Sequence, residues 1–296
     1  MDAYERRDVA TVDIPGAFMQ ADMVGNVHVK LEGRLAELLA KIAPKTYNKY
    51  LYVNNGNPTM YVRLRKALYG TLQASMLFWK DLTKSLTDWG FIVNPYDRCV
   101  MNKVIDGKQC TVLWHVDDIK MSHVNENIVT SVIKYLSEKY GKEAPLTVTR
   151  GKVHHYLGMT LDYNIYGKVQ IKMTDYIDGM LASLPESMDG ESATPAGNNL
   201  FMVNPDALLL PASESEIFHH YVAKLLFLCK WARPDIQTAI AYLSTRVKAP
   251  NVDDQKKLRR VMRYLRATQD LPLTLEADAA RQPGWWIVPH LASTMT

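Results

Sequence analysis

The chain has 296 residues, 47% of them hydrophobic and 22% charged, with a formal net charge of +4. That length and apolar content support a sizeable core, in one large domain or two smaller ones, and exclude a disordered or fibrous chain. Three cysteines, Cys99, Cys110 and Cys229, show neither a CxxC nor a metal-type spacing, which excludes a disulfide-held secreted scaffold. The acidic start, Met-Asp-Ala-Tyr-Glu, has no signal-peptide character, and no window of 18 apolar residues exists. These features predict a soluble intracellular protein, cytoplasmic or nuclear, with no membrane partner.

Residues 8–14 read as a strand ended by Pro15-Gly16, which leaves Asp13 at its C-terminal end. A core strand so close to Met1 is unusual, and preceding sequence is expected to be missing. Tyr47 to Pro58 is polar and Asn/Gly-rich, and reads as a loop. Tyr61 to Lys66 alternates apolar and basic residues, as an edge strand with a cationic face would. Leu72, Leu77, Phe78, Leu82, Leu86 and Trp89 then follow near-helical spacing, with Gly90 as the C-cap.

Val100 to Val104 and Cys110 to Val116 flank Asp106-Gly107, the dipeptide of a type I′ hairpin turn. The run Val112 to His123 forms a second hairpin with Asp117-Asp118 at its tight turn. The strand shared by both hairpins belongs inside a sheet. Two acids at the rim of a buried sheet repel each other unless a cation or a proton intervenes. Taken alone, such a pair is also ordinary turn chemistry.

Further on, Asn125 or Asn127 caps a helix carrying Ile128, Val132, Leu136 and Tyr140, ended by Gly141. Residues 144–150 give no clear signal. His155 to Asp162 and Lys168 to Met173 read as a hairpin, and a short helix from Thr174 stops at Pro185. Positions 186–213 are rich in Ser, Gly, Pro and Asn and read as a linker. The remainder is expected to be helical, over 216–229, from Pro234 onward, and over 253–267. The last helix sets Leu258, Val261, Met262 and Leu265 against Lys256, Lys257, Arg259, Arg260, Arg263 and Arg266. That basic side is either a solvated surface or a contact for a phosphate backbone.

Three carboxylates, Asp13, Asp117 and Asp118, converging at a sheet rim would suit Mg²⁺ (or Mn²⁺), hard ions that take oxygen ligands and leave room for substrate phosphates. Such a site serves nucleotidyl transfer and phosphodiester hydrolysis alike.

Several stretches resemble one family in its order. Asp13-Ile14-Pro15-Gly16-Ala17-Phe18-Met19-Gln20 resembles the first palm motif of copia-type LTR-retrotransposon reverse transcriptases. Leu64 to Ser75 resembles their LxKxLYGLKQAP, His115-Val116-Asp117-Asp118 their YVDD, and His155 to Met159 their YFLGI. Ala193-Thr194-Pro195, Ala232 to Ile236, Leu243-Ser244 and Arg263 to Thr268 resemble the later TP, TRPDI, LSR and RYLKGT. Together these cover about residues 8–276.

The resemblance implies an α+β fold. A polymerase palm (an antiparallel sheet with helices on one face) would occupy 1–185 without its fingers. A linker at 186–213, a helical thumb or connection region at 214–275 and the truncated start of a ribonuclease H-like domain at 276–296 would follow. It implies that Asp13 and Asp117 hold two metal ions and that Asp118 completes the cluster. Ile14 would lend a backbone carbonyl, and Phe18 would discriminate against a nucleotide 2′-OH. Tyr69, Gly70 and Gln73 would line the incoming nucleotide, with Gly70 letting backbone approach the ligand. His115, in place of the family's Tyr, would lie near the primer end, and Lys256, Lys257, Arg260 and Arg263 would track nucleic-acid phosphates. The substrates implied are an RNA template with a DNA primer and dNTPs, and the activity RNA-directed DNA polymerisation, with no ribonuclease H activity. The alternative is a catalytically silent nucleic-acid-binding remnant of the element. A two-metal nuclease is disfavoured because no His or Lys base accompanies the acids in a nuclease-like spacing. Leu72, Ser75 and Met76 stand where the family has Lys, Pro and Arg, so part of that motif's cationic contact is absent.

Overall fold

The computed structural model describes residues 1–184 and 189–277. The described residues form two compact units, one from residues 12–149 and the other from residues 1–11 together with residues 150–277. The fold class is α+β: every strand pairing whose register is resolved is antiparallel, and the helices are amphipathic or buried.

Up to residue 150 the chain runs β1 (Asp8–Asp13), α1 (Ala17–Gln20), β2 (His28–Glu32), α2 (Arg34–Ile42), α3 (Pro44–Tyr47), β3 (Tyr52–Asn54), β4 (Asn57–Arg63) and α4 (Ala74–Asp88). It continues with β5 (Ile92–Val93), β6 (Val100–Ile105), β7 (Lys108–His115), β8 (Asp118–His123), α5 (Glu126–Tyr140) and β9 (Thr147–Arg150). Six strands form one sheet in the order β5-β6-β7-β8-β1-β9. Four consecutive buried residues in β1 and five in β8 mark strands covered on both faces. In β7 burial alternates through Cys110, Val112 and Trp114, as a strand with one core face requires.

The β6–β7 hairpin closes as the sequence predicts. Ile105 pairs with Lys108, leaving Asp106 (φ 50°) and Gly107 (φ 72°) in the left-handed turn positions that Asp-Gly favours. Helix α4 buries Ala74, Leu77, Phe78, Leu82 and Leu86, and Gly90 follows it at φ 88°. Leu72, read as part of this helix, lies before its first turn and is exposed. Asn125 caps α5 by accepting from the Asn127 N–H. The two helices meet where Phe78 and Tyr140 pack edge to face at 6.0 Å. The Tyr140 phenol donates to Asp81 at 2.7 Å, and burial drives its pKa far up.

Two expectations for residues 47–66 fail. The Asn/Gly-rich stretch contains a hairpin, because Asn55 (φ 48°) and Gly56 (φ 78°) are turn residues joining β3 to β4. The basic alternating strand is β4, and it lies in the middle of a second sheet, β2-β4-β3, rather than at an edge.

The second unit contains β10 (Val153–Tyr156), β11 (Met159–Asp162), β12 (Lys168–Lys172), α6 (Thr174–Ala182), α7 (Ala212–Trp231), α8 (Gln237–Ser244), α9 (Val252–Ala267) and β13 (Leu273–Glu276). The stretch read as one strand, His155 to Asp162, is two strands turned by Leu157 (φ 52°) and Gly158 (φ 75°). The end of the chain is not wholly helical, since β13 pairs with β12 and completes the sheet β10-β11-β12-β13. Helix α9 starts with a capping box, in which Asn251 accepts from the Asp253 and Asp254 N–H groups while Asp254 accepts from the Asn251 N–H. Among the described residues no helix is long and apolar enough to cross a membrane. The expected start of a ribonuclease H-like domain lies, from residue 278 on, outside the described residues.

Candidate active site

The β7–β8 hairpin pairs His115 with Asp118, so the loop is the two residues Val116 and Asp117. Asp117 is therefore at the turn, while Asp118 begins the next strand. Val116 has φ 57°. A β-branched residue in the left-handed region is strained, and only the surrounding sheet holds it there. Strand β8 neighbours β1 in the sheet, and Asp13 ends β1. Pairing these strands carries an acid from the start of the chain to the Asp117 turn.

The electrostatics record the meeting. Burial, and after it the Asp117 charge, raises the Asp13 carboxyl above its ordinary 3.8. Burial, then Asp117 and Asp13, raises Asp118, which the neighbouring His115 partly offsets. Tyr69 leans into the same place: its phenol donates to Asp117 Oδ2 at 3.1 Å. Burial and the negative charges of Asp117 and Asp13 push that phenol up. The Tyr69 ring lies 4.3 Å from Phe18, and Phe18 lies 6.4 Å from the buried Phe78. A short aromatic wall thus stands beside the acids. Phe18 itself is only 9% exposed.

The other expected residues fall in graded positions. The Ile14 side chain is buried, and its carbonyl accepts from the Ala17 N–H at 3.1 Å. A carbonyl oxygen has a second lone pair, so one acceptor position remains. Gly70 sits at φ 89° with nothing within 4 Å of where a Cβ would be. The left-handed backbone already favours glycine here. Gln73 occupies the position before α4 and is exposed. His115 is exposed at the end of β7.

Beside Met19, a groove of about 580 Å³ is lined by Tyr47, Arg63, Leu64, Arg65, Lys66 and Leu68, among others. Lys66 reaches Asp22 at 2.9 Å and the Gln20 carbonyl at 3.2 Å. In the sequence these cations form one basic run immediately before Leu68-Tyr69-Gly70.

Asp13 and Asp117 are oxygen donors brought to one spot, where burial, and after it the Asp117 charge, raises the proton affinity of Asp13. That electrostatic state fits a hard divalent cation. Among the described residues no group of three or more His, Cys, Asp or Glu is set to hold a metal. Mg²⁺ does not require one, since one or two carboxylates with water and substrate phosphates complete its octahedron.

On α9 the basic residues are engaged within their own unit. Lys257 is buried and donates to the Met202 carbonyl (2.7 Å) and the Tyr242 hydroxyl (3.2 Å). Arg260 donates to Thr194, Arg263 to the Asp189 carbonyl at 2.6 Å, and Lys256 to Asp253. These contacts frame a cleft of about 330 Å³ between α9 and residues 191–200, with the four cations on one wall.

The sequence profile of the family described as reverse transcriptase (RNA-dependent DNA polymerase) matches residues 1–195, well over half of the chain. The chain belongs to that family. Similar to this reverse transcriptase chain is a putative transposon Ty5-1 protein of Saccharomyces cerevisiae, 24% identical over 224 residues, 75% of this chain and 70% of the yeast protein. The retrovirus-related Pol polyprotein from transposon RE2 of Arabidopsis thaliana is 25% identical over 219 residues, 74% of this chain but 14% of the polyprotein. The reverse transcriptase chain thus spans a small part of the plant relatives it matches. Among solved structures, a foamy viral protease-reverse transcriptase in complex with dsDNA aligns over 93% of this chain and 44% of its own, at 12% identity and a TM-score of 0.46. The chain thus carries a reverse transcriptase domain, of a family that uses divalent metal ions.

Proposed function

We propose that this chain performs RNA-directed DNA synthesis, extending a DNA primer on an RNA template with dNTPs. One observation carries the reading: Asp13 and Asp117, about a hundred positions apart, share one electrostatic site beside the Phe18–Tyr69 wall. Two hydrolytic or transfer chemistries remain open to bare carboxylates. The aromatic wall and the family favour transfer to a primer.

In this reading Asp13 and Asp117 hold Mg²⁺ or Mn²⁺, and Asp118 adds negative charge to the site. When bound, the ions lower the pKa of the primer 3′-hydroxyl and balance charge on the departing pyrophosphate. The protein's own part is placement. The Tyr69 hydroxyl holds the Asp117 carboxylate until a cation displaces it, and the Tyr69 ring offers a floor for the nucleotide, with Gly70 and Gln73 beside it. Phe18, wedged against Tyr69 and Phe78, cannot swing away, so its edge limits what fits at the sugar. The Ile14 carbonyl, which accepts from Ala17, keeps a second acceptor position for a metal ion. His115 stands at the primer side of the hairpin. Lys256, Arg260 and Arg263 on the wall of the α9 cleft are the contact for backbone phosphates, whereas the Lys257 ammonium is buried and already donates to Met202 and Tyr242.

Primer extension on poly(rA)/oligo(dT) with Mg²⁺ or Mn²⁺ tests this, with Asp117→Asn as control. Extension by the wild type that the substitution abolishes supports the proposal. Salt-dependent binding without extension replaces it with the silent nucleic-acid-binding remnant.

A further inference from the structure

Helix α9 and residues 191–200 frame a cleft of about 330 Å³, a size at the small-molecule end of binding pockets. Lys256, Arg260 and Arg263 recur there at i, i+4 and i+7, so they stack along one helix face. The two lysines on the wall have acids of their own helix as partners: Lys256 meets Asp253 at 2.8 Å and Lys257 meets Asp254 at 3.9 Å. The uncompensated charge therefore rests on the two arginines.

Long basic side chains on a helix surface ordinarily sweep many rotamers. These two are pinned. Arg260 donates through Nε to the Thr194 carbonyl at 3.2 Å and through one terminal nitrogen to the Thr194 hydroxyl at 2.8 Å. Arg263 donates through Nε to the Asp189 carbonyl at 2.6 Å. A guanidinium carries five N–H donors, so each fork keeps terminal N–H groups that no partner among the described residues takes up. Across the cleft the backbone comes close at Gly197, where a Cβ would stand 2.9 Å from Asn199 Oδ1 and 3.7 Å from Arg260 Nη1. Any side chain at 197 would crowd the space beside that guanidinium.

Two pre-set guanidinium forks with unused donors suit tetrahedral oxyanions, whose several oxygens accept from both at once. A duplex backbone strings its phosphates along a rigid helix and presents few of them to so small a recess. Directly linked phosphates enter it whole. We infer that the α9 cleft is a pocket for a free polyphosphate anion, with Arg260 and Arg263 as its clamp. The pocket does not depend on the chain being a polymerase. One consequence does rest on the proposed function: such an anion competes in the cleft with nucleic-acid phosphates.

Isothermal titration of the full chain with inorganic tripolyphosphate, in EDTA to keep the anion off divalent ions, tests it. The wild type should bind one equivalent, more weakly as salt rises. Arg260→Gln/Arg263→Gln should bind about tenfold or more weakly, as loss of charge-assisted hydrogen bonds predicts. Because these arginines also tether residues 189–194, Gly197→Val supplies a second route. It leaves every cation in place and should block the anion by filling the cleft, with circular dichroism confirming that each variant is folded. A wild type that takes up no tripolyphosphate, or equal binding by wild type and both variants, overturns the proposal. A fluorescein-labelled RNA/DNA hybrid separates the pocket from the proposed function. Displacement of the hybrid by tripolyphosphate, lost in the variants, supports both. Tripolyphosphate binding that the variants lose while they hold the hybrid unchanged supports the pocket and removes the cleft from the nucleic-acid contact. Hybrid binding that needs the arginines, with no tripolyphosphate bound, makes the cleft a backbone contact only and overturns the pocket.

Discussion

The Tyr69 phenol donates to Asp117 Oδ2 at 3.1 Å, so one oxygen of the carboxylate assigned to metal binding is already engaged. A cation that takes that oxygen competes with the hydroxyl. Tyr69→Phe keeps the ring against Phe18 and removes the competitor. It should therefore bind Mn²⁺ about fivefold more tightly, the equivalent of one modest hydrogen bond. Water proton relaxation during a Mn²⁺ titration reads this directly, and an unchanged affinity would show that the hydroxyl does not shield the site.

Crowding of the acids sets a pH dependence of stability. The Asp13 and Asp118 carboxyls titrate above 3.8 through burial first and the Asp117 charge second. A carboxyl with a raised folded-state pKa favours the fold in its protonated form. That contribution is complete below 3.8 and is lost as pH rises through the raised values. Both groups remain open enough to water that screening trims the effect. Asp118→Asn should raise the thermal midpoint by roughly 1–2 °C at pH 7 and not at pH 3.5. Melts at the two pH values check it, and a lower midpoint at pH 7 would contradict it.

Strain at the hairpin tip should be measurable too. Val116 holds φ 57° between β7 and β8. Asparagine tolerates that conformation far better than a β-branched side chain, so Val116→Asn should stabilise the fold by about 1 kcal/mol. Urea unfolding gives the value, and a loss of stability would mean that packing of the valine outweighs its backbone strain.

How far the sequence could be read depended on whether the signal was local. The Asp106-Gly107 turn, the α4 periodicity and the Asn125 cap each sit within a few residues, and each appears as expected. The Asn55-Gly56 turn was equally local. It was passed over because the polar residues around it dominate the stretch. Leu157-Gly158 was hidden differently, since an apolar leucine at positive φ looks like a strand residue. Placement of Asp13 beside Asp117 could not be read from period or spacing, because it depends on β1 neighbouring β8. Acids at the ends of apolar strands made the meeting conceivable, and the order of family motifs pointed to it. The engagement of Lys257 and Arg260 with residues 194–202 is likewise tertiary, and a helical wheel shows those side chains merely as one basic face.

In the second unit the decisive polar contact is Arg233, whose side chain is 2% exposed. It grips Asp235 at 2.7 Å and the Thr268 carbonyl and hydroxyl at 2.8 and 2.7 Å. Burial works to raise the Asp235 carboxyl, but hydrogen bonds from Arg233 and Tyr264 outweigh it and hold the pKa below 3.8. Stability from this pair is present above 3.8 and is lost as pH falls through the folded-state value. Arg233→Met should cost about 3 kcal/mol at pH 7, with a smaller deficit in acid. Chemical denaturation at pH 7 and pH 3 measures both, and a pH-independent deficit would assign the effect to packing.

The central claim is that Asp13 and Asp117 act as one unit in nucleotidyl transfer, and a double-mutant comparison of single-turnover primer extension tests it most directly. Residues that act together lose activity non-additively. Asp13→Asn and Asp117→Asn should each reduce extension to background, with the double variant no worse than either, while Tyr69→Phe still extends. Extension that survives Asp13→Asn, or losses that multiply in the double variant, would contradict the account.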